Sequence, residues 1–135
     1  MSVFTALYTG LFNQLSGGTA LITALGGTAI YQMQAPPNST LPYVVMSHAG
    51  GGPENITPSD MRNQIVFVRA YAATVSQANN LDALCSARLH KQNVAVTGYT
   101  NLYTWRETDL QNVDNPADLA PVYMAGAHYR IRLDN

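Results

Sequence analysis

Lysine occurs once in this chain, at Lys91, and Asp, Glu, Lys and Arg together make up 11% of its 135 residues. An average domain carries about 25%. By size scaling a 14.6 kDa monomer exposes roughly 7,000 Å², and seven basic plus eight acidic side chains are thin cover for that area. Two explanations stand side by side: neutral polar residues dress the surface, or other subunits cover it, since interface cores are depleted in charge. The net charge is −1 and the arginines are scattered at Arg62, Arg69, Arg88, Arg106, Arg130 and Arg132. The lack of a basic run argues against an electrostatic nucleic-acid binder. Cysteine is as scarce as lysine. Cys85 stands alone, so no internal disulfide forms, which fits a reducing cytoplasm or an assembly that never depended on oxidation. The best apolar run, residues 65–75, is short and broken by Arg69, so no membrane segment is expected. The first residues have neither the charged start nor the apolar core of a signal peptide, and none is expected.

What is present reads as one folded domain. Apolar residues make up 47% of the chain, as in globular proteins, and its length supports a single core. In SVFTALYTGLFNQLSG, Val3, Phe4, Leu7, Tyr8, Leu11, Phe12 and Leu15 recur at helical spacing, with Ser2 as cap and Gly17 as stop. TALITAL makes a second, short helix closed by Gly26 and Gly27. AIYQMQ and YVVMSH read as strands, rich in β-formers and bounded by proline and glycine. Pro36, Pro37 and Pro42 stiffen the link between them, which is too long for a tight hairpin.

The strongest strand is RNQIVFVRAYAAT, residues 62–74. Ile65, Phe67 and Tyr71 share one of its faces; Val66, Val68, Ala70 and Ala72 share the other. Arg69 lies on the face of Phe67 and Tyr71, so that face is expected to meet solvent or a partner. SQANNLDALCSARLHKQN reads as an amphipathic helix capped by Ser76, with Leu81, Leu84, Cys85, Arg88 and Leu89 along one side and His90 and Lys91 in its last turn. VAVTGYTNLYTWRETDL and PVYMAGAHYRIRL read as closing strands, the second alternating Tyr129, Ile131 and Leu133 against Arg130 and Arg132. A polar loop over residues 111–118 joins them, with room for a helical turn near PADLA. The fold class is α+β: a mainly antiparallel sheet of about five strands, with the N-terminal helix and a second amphipathic helix packed on one face.

The candidate residues for chemistry give little. SHAGGG can shape an oxyanion hole only beside a nucleophile elbow, and the chain has no G-x-S-x-G; strand end plus glycine loop is the plainer reading. No Gly-Lys-Ser/Thr follows the glycines, so they are no phosphate cradle. His48, His90 and His128 lie on three elements without metal-ligand spacing. Cys85, on an apolar stripe, reads as a small buried hydrophobe. Glu107 and Asp109 share one strand face, which reads as an exposed strand end. Tyr99, Tyr103 and Trp105 also share a face, either as cross-strand packing or as interface anchors. No cofactor or metal site is expected, and catalysis is not.

The element order, with ALGGTAIYQMQAPP closing the helical start, LPYVVM following, and VFVRAYAAT leading into SQANNLDAL, resembles the tail-terminator (tail-completion) proteins of long-tailed bacteriophages over nearly the whole chain. The resemblance implies a non-catalytic virion protein, assembled in the host cytoplasm. It would form a ring, usually of six subunits, that caps the tail tube, halts its polymerisation and meets the head connector or stopper protein. Its partners are then copies of itself, the tail tube protein and the connector. DNA passes through the lumen without specific binding, which suits a near-neutral chain, and no membrane is involved. The alternatives are another neck component, such as a head-completion or stopper protein, and a small ligand-binding or hydrolytic domain using His48. The interface residues come from physical reasoning on the residues themselves. Gly50, Gly51, Gly52, Pro53 and Asn55 form a loop able to order on binding. Tyr103 and Trp105 are anchors. Asp109, Asp114 and Asp118 lie on a second projecting loop.

Overall fold

The computed structural model describes residues 2–55, 61–115 and 120–134. Its elements run α1 (Val3–Ser16), α2 (Thr19–Leu25), β1 (Ile30–Gln32), β2 (Tyr43–Pro53), β3 (Met61–Ala72), α3 (Val75–Leu89), β4 (Thr100–Asp114) and β5 (Val122–Asp134). The five strands form one sheet in the order β1-β2-β3-β5-β4. Every pairing is antiparallel except β1 with β2, which is parallel. The proline-rich link is therefore a crossover connection, which explains its length.

Strict alternation in β3 and β5 builds the core. Gln64, Val66, Val68, Ala70 and Ala72 of β3 are buried, as are Ala125, Ala127, Tyr129, Ile131 and Leu133 of β5. Register sets Val66 opposite Tyr129 and Val68 opposite Ala127, so both rows face the helices. Leu7, Leu11 and Leu15 of α1, Leu21 and Leu25 of α2, and Ala78, Leu81, Cys85 and Leu89 of α3 join the same cluster. The helix starts follow from polar caps. Ser2 Oγ accepts from the Phe4 N–H, and Thr74 Oγ1 accepts from the Gln77 N–H, each worth about 1 kcal/mol.

Local details depart from the sequence reading. Helix α3 is capped by Thr74 two residues before Ser76, the expected cap; Thr74 with Gln77 has capping-box spacing. It ends at Leu89, leaving His90 as C-cap and Lys91 at φ 59°, so neither lies in the last turn. Residues 94–99 are irregular, with Val94 and Val96 buried, and β4 begins only at Thr100. The glycines expected as a loop are strand: Gly50, Gly51, Gly52 and Pro53 pair with Ile65, Gln64, Asn63 and Arg62 after a register shift between His48 and Gly50. Gly51 sits at φ +96° against the Asn63 carbonyl, where no side chain fits. Asn55 alone of that set lies beyond the strand. The second expected loop is strand as well, since Asp109 and Asp114 belong to β4, paired along β5. Asp118 and PADLA fall largely or wholly outside the described residues.

One ion pair ties the β4–β5 hairpin to α3. Arg106 donates from Nη1 and Nη2 to the two carboxylate oxygens of Asp82 at 2.9 and 2.8 Å, and from Nε to Asp109 at 2.6 Å. The Asp82 bonds, partly opposed by desolvation, push the guanidinium pKa further above its ordinary value, so the charge is permanent. Replacing Asp82 by Ala removes the bidentate partner and is expected to cost about 2 kcal/mol, read as a lower urea midpoint at an unchanged slope. Burial pushes the Cys85 thiol up to about 12, with Asp82 adding to the rise. At pH 8 a thiol reagent is expected to leave Cys85 unmodified in the folded protein and to label it fully in denaturant.

Candidate functional site

The three histidines are taken up by the fold at separate places. His48 points to the helix side of the sheet, where its Nε2 lies 2.5 Å from Gln64 Oε1 and Phe4 meets its ring edge-on at 5.0 Å. His90 Nδ1 accepts the Arg106 backbone N–H at 2.9 Å. His128 meets Phe67 at a steep angle, centroids 4.3 Å apart, on the other face. Among the described residues no three His, Cys, Asp or Glu side chains stand close enough to hold a metal. Nor is any described helix long and apolar enough to cross a membrane.

The surface worth building is the face of the sheet that the helices leave open. Alternation that sends Val66, Val68, Tyr129 and Ile131 inward sends Phe67, Arg69, Tyr71, His128, Arg130 and Arg132 outward. At the β1 side, Tyr31, Tyr43 and Tyr71 form an aromatic row with centroid spacings of 6.0 and 5.3 Å. Crowding of the phenols adds to burial in raising the Tyr43 pKa, so its hydroxyl stays a hydrogen-bond donor. In the middle, the Arg69 guanidinium carbon lies 4.1 Å from the Phe67 ring centroid. Beside it Gly126 faces Arg69 so closely that an added Cβ would overlap the Val68 carbonyl, which keeps β3 and β5 in tight register there.

At the β4 side, Tyr103 and Trp105 stack with centroids 4.1 Å apart, opposite Arg132 and Arg130. Trp105 is 41% exposed. Tyr99 does not join them: it precedes β4 and packs against the core, because a register shift between Asn101 and Tyr103 separates the two directions. Glu107 and Asp109, expected on one face, also part at a bulge between Arg106 and Thr108. Glu107 accepts from Arg130 at 2.5 Å, while Asp109 pairs with Arg106. Arg132 reaches Glu54 just beyond β2 at 2.9 Å.

The open face gathers Trp, Tyr and Arg, the side chain types that concentrate energy where interfaces form, combining large rigid area with a polar tip. Sequence reasoning put Tyr103 and Trp105 on one strand face, where they stack, and pointed Arg69 outward. It missed the tyrosine row, because Tyr43 meets Tyr71 through the antiparallel β2–β3 pairing and Tyr31 joins them through the parallel β1–β2 pairing, both distant in sequence. The 15-residue β4 forms one edge of the sheet and the three-residue β1 the other; the first half of β4 is held on its outer side, where the Lys91 N–H donates to the Thr104 carbonyl and His90 accepts from Arg106. Bulges and charges on β4 limit uncontrolled pairing there.

Comparison with known proteins gives this geometry a family. The chain is similar to a chain from the virion of a native gene transfer agent particle, with 19% identity, coverage of 99% of this chain and 98% of that one, and a TM-score of 0.77. At that identity the likeness speaks for the fold. No curated protein matches. The family model described as tail completion protein gp17 matches residues 9–133, taking in α2, α3, the whole sheet and most of α1. This chain therefore belongs to the gp17 family of tail completion proteins, structural proteins of bacteriophage tails.

Proposed function

We propose that the protein works by forming a closed ring, of six subunits by the family resemblance, that caps the finished tail tube, ends its polymerisation and presents its other face to the head connector or stopper protein. The role is structural and its place is the tail–head junction of the virion. The observation that carries this reading is the uncovered face and edge of the sheet. One chain leaves an aromatic and arginine-rich face without helices and, past Arg106, an outer edge of β4 with no further strand among the described residues. Both lie on a domain whose surface is otherwise poor in charge.

Two features support a ring over a two-fold dimer. The exposed edges of the sheet are unlike each other, so a neighbour's contact is more naturally heterologous, and heterologous contacts whose rotation closes give rings. The two hairpins point to opposite ends of the sheet. β2 ends and β3 begins at the row of Arg62 and Leu133, whereas β4 ends and β5 begins beside the row of Ala72 and Tyr123. A ring built on this sheet thus has one hairpin for each axial partner. Near-neutral net charge suits a lumen through which DNA passes without being held.

Tail tube subunits of the same phage, polymerised in vitro with and without the protein, test the role. Capping predicts that elongation stops at substoichiometric protein, with density added at one tube end in negative stain. Tubes that grow at the same rate, with the protein left in the supernatant, would contradict it.

A further inference from the structure

Three arginines stand on the solvent face of the sheet, and two of them are neutralised: Arg130 by Glu107 and Arg132 by Glu54. Arg69 is different. Its guanidinium is stacked on Phe67, and its Nε is buried without a hydrogen-bond partner. It forms part of the wall of a cleft of about 390 Å³ that the segment after β1 makes over the sheet, lined also by Gln34, Asn38, Ser39, Tyr43 and Tyr71. Val45, in the same cleft, is buried beneath it. A cation held by a ring, flanked by phenols and neutral amides, is a receptor for a carboxylate. Stacking fixes the plane of the guanidinium fork, so less freedom is lost when two oxygens are bound.

The opposite edge of the same sheet offers the matching group. Asp114 ends β4, is exposed, and makes no ion pair among the described residues, whereas Asp82, Asp109, Glu54 and Glu107 are all taken. Cleft and carboxylate also lie toward the same end of the sheet. Tyr71 pairs with Met124 and Met124 with Asn112, so Asp114 stands two residues beyond the row of Tyr71, about 7 Å along the strand. Across a five-stranded sheet about 19 Å wide, a strand tilt of about 20° makes up that offset. Patches on opposite edges at matching height are what a cyclic ring requires of its two contacts.

We infer that the Arg69 cleft is the receiving half of the contact between subunits, and that its occupant is Asp114 from the β4 end of a second copy of this chain. The inference rests on the ring reading given above and names its pairing. The like-signed alternative, two clefts face to face, brings two Arg69 side chains together and is disfavoured.

Cysteine cross-linking and charge reversal test it together. A chain carrying both Gln34→Cys and Asp114→Cys, oxidised at high concentration, is expected to give a ladder of covalent oligomers that stops at the ring. An equimolar mixture of the two single variants should stop at dimers, and buried Cys85 should not contribute. Arg69→Asp should raise the concentration needed for half-assembly by about tenfold, and adding Asp114→Arg should restore most of it. Circular dichroism checks that each variant is folded. If the wild type assembles into closed rings while the double-cysteine chain gives no ladder, or Arg69→Asp assembles normally, the pairing is wrong and the ring reading survives. If the wild type itself stays monomeric, the ring reading falls and the pairing with it.

Discussion

Two central strands with an unbroken period of two govern this molecule. Between Gln64 and Ala72, and between Ala125 and Leu133, the side chains facing the helices are buried with few polar exceptions. A slip of one residue in their pairing would turn Phe67, Arg69, Arg130 and Arg132 into the core and Val66, Val68, Tyr129 and Ile131 out to water. Register is therefore fixed by the hydrophobic effect, and the character of the outer face follows from it. The same alternation that completes the core presents an arginine and aromatic surface on the other side. Gly126 adds a local constraint, since its missing side chain lets β3 and β5 stay paired at Arg69.

Low charge takes on a meaning in this light. Of the two explanations that composition leaves open, neutral polar dressing and coverage by other subunits, the proposed ring would supply the second. Tyrosine, tryptophan and phenylalanine on the sheet's open face give area, and the arginines are either already paired or, at Arg69, held ready. The ion pair of Arg106 with Asp82 serves the same end. It fixes the middle of the long β4–β5 hairpin to α3, so the far end of β4 is carried at a set position relative to the sheet.

Much of this was legible in the sequence. The helical spacing of α1, the two faces of β3, the alternation of β5 and the burial of Cys85 all follow from periodicity, where one face of an element is much more apolar than the other. The misreadings fall where that contrast is absent. Gly50 to Gly52 have little strand propensity, yet they extend β2 because β3 offers a ladder and a bulge absorbs the misfit. Residues 111–114 hold a single apolar side chain, Val113, and so read as loop; hairpin pairing with β5 makes them strand. Bulges in β4 also broke two inferences that assumed an even period, for Tyr99 and for Glu107 with Asp109. The clamp between Asp82 and Arg106 and the tyrosine row depend on contacts distant in sequence, which no local pattern carries. The capping box at Thr74 and Gln77 was present in the sequence and overlooked in favour of Ser76.

The central claim is that this tail completion protein acts through a closed ring of copies of itself. Light scattering over a wide concentration range, with negative-stain images of the largest species, addresses it most directly. The account predicts a mass near six times the 14.6 kDa chain and ring-shaped particles of one size. Open filaments that lengthen with concentration would contradict it, because contacts that fail to close describe a tube subunit and not a cap.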